Sequence, residues 1–303
     1  MLFDEIRAEM KILLFLTLCS LPISWCVKDK TWWKYTTIYE VFLPSFNDGN
    51  GDGMGDLKGL KLIIDTVFNH CSDEHPWFIK SIHKEDPYTD YFIWKDPKGY
   101  DKDGNPLPPN NWLSVFSGSA WKWNDRRKQF YLHRFSPQQP DFNLRNTAVK
   151  NELKKIMKFW VEKGVAGFRF DATKFLLEDE HFRDEPVSSP DVEVPYQYSD
   201  LKHIYTDNLP DSYKLLHELR TFLEKLTQKY QDFERIMANE DYIDGRLLYQ
   251  YYGSDTYRIM HLPLNFILTL TVHYHNSSHY HKTINTYLNG LPEGAVPNWN
   301  VSY

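Results

Sequence analysis

The clearest periodic signal lies between residues 147 and 241. In "VKNELKKIMKFWVEKG" the apolar residues Val149, Leu153, Ile156, Met157 and Trp160 recur at helical spacing and Gly164 closes the run, which predicts an amphipathic helix. The apolar strand "VAGFRFDA" (165–172) follows. A second helix, "DSYKLLHELRTFLEKLTQKY", places Leu216, Leu219, Leu223 and Leu226 on one face. "RIMANED" (235–241) and "RIMHLPLNF" (258–266) read as further strands. Upstream, "TTIYEVFLPSF" (36–46) is β-branched and aromatic, and "LKLIIDTVF" (60–68) is nearly continuously apolar, as a parallel strand covered on both faces requires. Helix–strand alternation predicts a parallel α/β fold. Residues 70–146, rich in Pro, Asn, Asp and Trp, keep no period and read as an irregular insertion.

In parallel α/β folds the reactive groups sit at the carboxyl ends of the strands. Polar residues occur there three times: Asp65 to His70, Arg169 to Asp171, and Glu240. A separate signal precedes the second strand. In "FNDGNGDGMGD" (46–56), Asp48, Asn50, Asp52 and Asp56 are oxygen donors at close spacing, with the Met54 carbonyl between the last two. Hard oxygen ligands at this spacing suit a structural Ca²⁺, although the bidentate Glu of an EF-hand is absent. A Gly/Asp-rich turn without metal is the alternative. "HYHNSSHYH" (273–281) puts His275 and His279 one helical turn apart, a spacing open to Zn²⁺. With no carboxylate or Cys set nearby, it reads as a His-rich surface stretch.

Composition changes the picture in two places. Aromatic residues make up 16% of the 303 residues, enough to stack on sugar rings as well as to fill a core. A net charge of −6 argues against nucleic acid or an anionic membrane as partner. The run "MKILLFLTLCSLPISWC" from Met10 has one Lys and an apolar stretch too short to span a bilayer. It reads as a signal peptide (1–26) cut after Cys26, and so predicts a secreted, extracellular protein with no integral membrane span. An uncleaved buried or anchoring helix is the other reading. Without that segment Cys71 is the only thiol, so no internal disulfide framework is expected. Sequons at Asn276 and Asn300 fit an extracellular glycoprotein.

Four stretches together, in order and at strand ends, resemble the α-amylase family, glycoside hydrolase family 13: "DTVFNH" (65–70), "QPDFN" (139–143), "GFRFDATKF" (167–175) and "NEDY" (239–242). The run "YSDLKHIYTDNLPDSYKLLHELR" (198–220) further resembles the insect maltase branch. The resemblance implies a TIM (β/α)₈ barrel, here partial, with domain B inserted after strand 3. It divides the chain into barrel segments 31–70 and 141–303 and an insertion 71–140. It also implies retaining cleavage of terminal α-1,4-linked glucose from maltose or short α-glucosides. Such cleavage needs a nucleophilic carboxylate and a protonated carboxyl about 5 Å apart. By resemblance Asp171 is the nucleophile, oriented by Arg169, and Glu240 is the acid/base, kept protonated by a drier setting. Asp65 and His70 resemble ligands of substrate hydroxyls, and Phe142 lines the same region. The loop 48–56 resembles a Ca²⁺ loop of oligosaccharide-cleaving members.

The resemblance also exposes gaps. Between "GDLKG" and "KLIIDTVFNH" the family carries a helix, the second barrel strand and another helix, and the space here is too short for them. Past "PNWNVSY" it implies a "GNHD" segment with a third catalytic carboxylate, the last two strands and a terminal β domain. Of eight barrel strands, the first, third, fourth, fifth and sixth can be placed. The expectation is therefore a truncated or spliced α-glucosidase with open sheet edges and little activity. A rival of another class is a non-catalytic, family 13-like subunit of an amino-acid transporter, which "NPLPPNNWLSVFSGSAW" and "KFLLEDEHFRDE" resemble. A carbohydrate-binding remnant is a third reading.

Overall fold

The computed structural model describes residues 13–17, 32–35, 38–42, 61–231, 233–243, 245–270 and 277–299. The strands in chain order are β1 (Leu13–Thr17), β2 (Ile38–Phe42), β3 (Ile63–Val67), β4 (Trp94–Lys95), β5 (Gly99–Tyr100) and β6 (Pro106–Leu107). They continue with β7 (Trp121–Asn124), β8 (Gln129–Leu132), β9 (Gly167–Asp171), β10 (Ile236–Glu240) and β11 (Leu262–Pro263). The helices are α1 (Pro76–Ile82), α2 (Thr147–Glu162), α3 (Pro210–Tyr230), α4 (Gly245–Tyr252), α5 (Ile267–Leu270) and α6 (Ser277–Gly290). Two compact units result: Met1–Thr66 with Lys154–Asp171 and Tyr213–Tyr303, and Val67–Leu153 with Ala172–Ser212. The segment after Ala172 thus groups with the insertion.

In the first unit a six-stranded sheet runs in the order β11-β10-β9-β3-β1-β2. β9 and β10 pair in parallel with Gly167 opposite Ile236 and Asp171 opposite Glu240, and β11 continues in parallel beyond β10. Phe168, Phe170, Ile236 and Met237 are fully buried, which accounts for the apolar strand sequences. Leu216, Leu219, Leu223 and Leu226 of α3 are all buried, as their spacing predicts.

Three elements depart from the sequence reading. In α2 the buried stripe is Val149, Leu153, Met157 and Val161, whereas Ile156 is 36% exposed. At 3.6 residues per turn the stripe centres between Leu153 and Met157, and Ile156 falls at its margin. The strand anticipated over 258–266 shrinks to Leu262–Pro263, because Pro263 has no N–H to give the ladder. The third departure is β1. It lies in the apolar run read as a signal peptide, and it pairs antiparallel with both β2 and β3. Barrel strands follow one another in chain order, so the slot between the first and third strands belongs to the second. Residues 13–17 fill that slot in the wrong direction, and the open edges expected there are absent from the described sheet.

The second unit is built on small antiparallel pieces, a β4-β8-β7 sheet and a β5-β6 hairpin. Its α1 begins at Pro76, and His75 Nδ1 accepts from Trp77 N at 3.1 Å as the cap. Trp112, Trp121, Phe130, Leu132, Ile93 and Ala120 form one apolar core. A buried ionic group stands beside it: Arg134 Nε meets Asp141 Oδ2 at 3.1 Å, and Arg134 and Arg145 both approach Glu178.

Candidate active site

Arg169 and Asp171 are two positions apart on β9 and so project from the same face, while Phe168 and Phe170 pack on the other. Glu240 is the register partner of Asp171 on β10, which places the two carboxylates on that same face one strand spacing apart. Asp65 enters from β3, the neighbour of β9. Arg169 Nη1 donates to Asp65 Oδ1 and Oδ2 at 2.7 and 2.8 Å and to Asp171 Oδ1 at 3.1 Å. Its Nη2 contacts Glu240 Oε2. One guanidinium therefore holds three carboxylates. Depth increases from Asp171, whose side chain is 34% exposed, through Glu240 at 19% to Asp65 and Arg169 at 9% and 7%. The cation sits at the bottom, where its charge is least screened. Burial pushes the Asp65 carboxyl up to about 6, with Arg169 pulling the other way.

Thr66 Oγ1 donates to the Arg169 carbonyl at 3.0 Å and ties β3 to β9 beside the cluster. Immediately after Asp171, Ala172 adopts a left-handed φ of 55° and the chain turns into a short 3₁₀ segment, Thr173–Phe175. A non-glycine residue in that region stores strain, a feature that collects at functional sites. The structure brings Asp65, Arg169, Asp171 and Glu240 together.

His70 and Phe142 belong to the second unit. His70 lies against Phe135, with ring centroids 5.1 Å apart, between the Asn69 and Gln139 amides at 3.2 and 2.9 Å. Burial lowers its pKa to about 4, so it is neutral at physiological pH. Phe142 is buried, stacked on Phe92 at 5.0 Å and edge-on to Trp77.

Sequence reasoning missed two residues here. Asp141 of "QPDFN" is buried and accepts from Asn69 Nδ2 and from both backbone and side chain of Arg134. Phe116, exposed in "SVFSGSAW", lines an open groove of about 400 Å³ with Ser114, Ser119, Phe135 and Ser136. Its signal was a large aromatic among small polar residues. The proposed Ca²⁺ ligands Asp48, Asn50, Asp52, Met54 and Asp56 lie outside the described residues, as do His275, Asn276 and Asn300. Among the described residues there is no group of three or more His, Cys, Asp or Glu fit to hold a metal. No helix among them is long and apolar enough to cross a membrane.

The family model for the α-amylase catalytic domain matches residues 58–293, which contain all four site carboxylate and arginine positions. The chain belongs to the α-amylase family. It is 35% identical to Maltase 1 of Drosophila virilis, over 88% of this chain and 52% of that protein. The salivary alpha-glucosidase of Anopheles gambiae is 33% identical over 88% of this chain and 56% of its own length. An amino acid transporter heavy chain of Homo sapiens is 31% identical over 97% and 51%. The chain spans about half the length of these curated relatives. The alignment to Maltase 1 runs over 330 positions while taking up 88% of 303 residues, so it contains gaps of several tens of positions.

Among solved structures, the alpha-glucosyl transfer enzyme XgtA superposes with a TM-score of 0.67 at 31% identity, covering 80% of this chain and 44% of that one. Trehalose-6-phosphate hydrolase of Bacillus licheniformis gives 0.56 at 32%, covering 69% and 34%. In family terms β2, β3, β9, β10 and β11 are barrel strands of an incomplete TIM barrel, and β1 is foreign to it.

Proposed function

We propose that this chain carries the carboxylate pair of a retaining α-glucosidase acting on terminal α-1,4-linked glucose of maltose and short α-glucosides, in carbohydrate metabolism, and that it works slowly. The supporting observation is the direct pairing of Asp171 with Glu240 over a shared arginine. In the reaction, a carboxylate oxygen of Asp171 attacks the anomeric carbon while Glu240 gives its proton to the departing glycosidic oxygen. Water then attacks the glucosyl–Asp171 ester and returns its proton to Glu240. Insect maltases and salivary alpha-glucosidases as relatives favour this substrate class.

Slowness follows from the replacement of the second barrel strand by an antiparallel one. Assay of the purified chain with maltose and a nitrophenyl α-glucoside tests the reading. A slow rate abolished by Asp171→Asn supports it. A rate unchanged by that substitution overturns the mechanism, and turnover at the typical 1–10³ per second overturns the slowness.

Secretion is the second element of the proposal, supported by the leader-like segment from Met10 and by salivary relatives. The competing reading, a non-catalytic transporter heavy chain, is favoured by the match over 97% of this chain to the human protein. Membrane fractionation separates them: carbonate-resistant membrane association with a partner subunit supports the heavy chain, and recovery in the medium supports secretion.

A further inference from the structure

His70 stands between two side-chain amides, and a neutral imidazole cannot accept from both. Asn69 Nδ2 lies 3.2 Å from its Nδ1, and Gln139 Nε2 lies 2.9 Å from its Nε2. One ring nitrogen carries the proton, so one amide must turn its oxygen towards the ring, and amide orientation is decided by the surrounding bonds. The two amides are not equally free to turn.

Asn69 is 2% exposed, and its Nδ2 also donates to Asp141 Oδ1 at 3.2 Å. That oxygen already accepts the backbone N–H of Arg134, which has no alternative orientation, and Oδ2 of the same carboxyl accepts from Arg134 Nε at 3.1 Å. Three N–H groups on its two oxygens and the Arg134 charge favour the ionised carboxyl, although burial pushes it up to about 7. Turning Asn69 would set its carbonyl oxygen against an acceptor at a buried position, where no water can make up the lost bond. The Asn69 backbone is also pinned, since its carbonyl accepts from Phe142 N at 2.9 Å. Gln139 is half-buried, and turning it gives up one bond, from Ser136 N to Oε1 at 3.2 Å. Gln139 is the amide that yields.

We infer that Arg134, Asp141 and Asn69 act as positioning residues that fix His70 as the tautomer protonated on Nε2, whose N–H donates to the turned Gln139 amide oxygen and passes to a neutral acceptor, such as a sugar hydroxyl oxygen, that displaces that amide. Nδ1 is occupied from the interior, so His70 is neither a general base nor a metal ligand through that atom. The tautomer itself stands on the geometry of the second unit, and only its use towards a sugar rests on the function proposed above. The low pKa of His70 keeps the ring neutral over the range where the tautomer matters.

Two-dimensional ¹H–¹⁵N NMR of the imidazole nitrogens tests this, with the His70 signals identified by their loss in His70→Gln. In the unmodified chain Nδ1 is expected as the bare nitrogen and Nε2 as the protonated one. In Asn69→Ala, Gln139 recovers its bond from Ser136 N and the proton moves to Nδ1. Gln139→Ala leaves the tautomer unchanged. Since Asn69 is buried and its variant can fail to fold, the unmodified chain and Gln139→Ala already decide the matter. A proton on Nδ1 in the unmodified chain, or a tautomer switched by Gln139→Ala, overturns the inference. Calorimetry with maltose then addresses the sugar: an affinity about tenfold weaker in Asn69→Ala, equivalent to one hydrogen bond of roughly 1.4 kcal/mol, supports the donor role. Absence of maltose binding by the unmodified chain, with the predicted tautomer in place, removes the glucosidase reading and leaves the tautomer intact.

Discussion

Asp171 and Glu240 are directly paired residues of neighbouring parallel strands, and the guanidinium of Arg169 touches both. Retaining glycosidases need two carboxyls roughly 5 Å apart, and adjacent strands supply about 4.8 Å between backbones with both side chains on one face. The spacing is thus a property of the sheet register, fixed wherever Gly167 meets Ile236 at the other end of the ladder.

That register makes Gly167 sensitive. A methyl group there would lie 2.5 Å from the Ile236 carbonyl oxygen and 2.8 Å from its Cγ1. Both atoms belong to the register partner, and the nearer one is backbone, which cannot rotate away. Gly167→Ala is expected to destabilise the chain by about 1–3 kcal/mol through overpacking. Urea unfolding checks this, and an unchanged midpoint would mean that β9 and β10 lie further apart than described.

Arg169 holds Asp65, Asp171 and Glu240 at once. Replacing it by Met leaves three acidic groups in a partly dry space without the guanidinium that they share. A loss of about 3–5 kcal/mol is expected, as for breaking buried ion pairs in general. Uptake of protons on folding near neutral pH should accompany it. A midpoint within experimental error of the parent would show that water, rather than Arg169, balances these groups.

Titration gives two opposed slopes. Asp65 is raised from 3.8 to about 6, chiefly by burial, so its contribution to stability is complete below 3.8 and is lost as pH rises through about 6. His70 is lowered from 6.5 to about 4, so its contribution is present above 6.5 and is lost as pH falls through about 4. Between pH 4 and 6 Asp65→Asn should make stability climb more steeply with pH, and His70→Gln should make it climb less. Urea midpoints measured across that range decide it. Slopes that change in the same direction contradict the burial assigned to one of the two groups.

The strands that carry Asp65, Arg169, Asp171 and Glu240 were legible because buried parallel strands need unbroken apolar runs and polar residues mark their ends. The α3 leucines were legible for a similar reason, a single period sustained over about three turns. Asp141 was not, because the partners that make it structural, Asn69 and Arg134, come from other segments and share no local pattern with it. The same holds for His70: its chemistry depends on which of two amides can turn, and no sequence period encodes that. β1 was illegible for another reason. Four apolar residues and a threonine meet the needs of a leader core and of a central strand equally well.

One molecule cannot use residues 13–17 both ways, and this leads to the last prediction. Cleavage after Cys26 would remove the strand that hydrogen-bonds to β2 along Leu13–Thr17 and to β3 at Leu14 and Phe15. Two strand edges would then face each other across an empty slot, and unpaired edges invite pairing with other chains. A chain beginning at residue 27 should unfold at lower urea, by at least about 2 kcal/mol if several ladder bonds are lost at roughly 0.5–1.5 kcal/mol each. It should also self-associate. A synthetic peptide of residues 10–20 should reverse both effects by adding back the strand, as extended peptides do at open sheet edges. If the shortened chain is as stable and as monodisperse as the full one, and indifferent to the peptide, β1 is no part of the working sheet and the segment is free to serve as a leader.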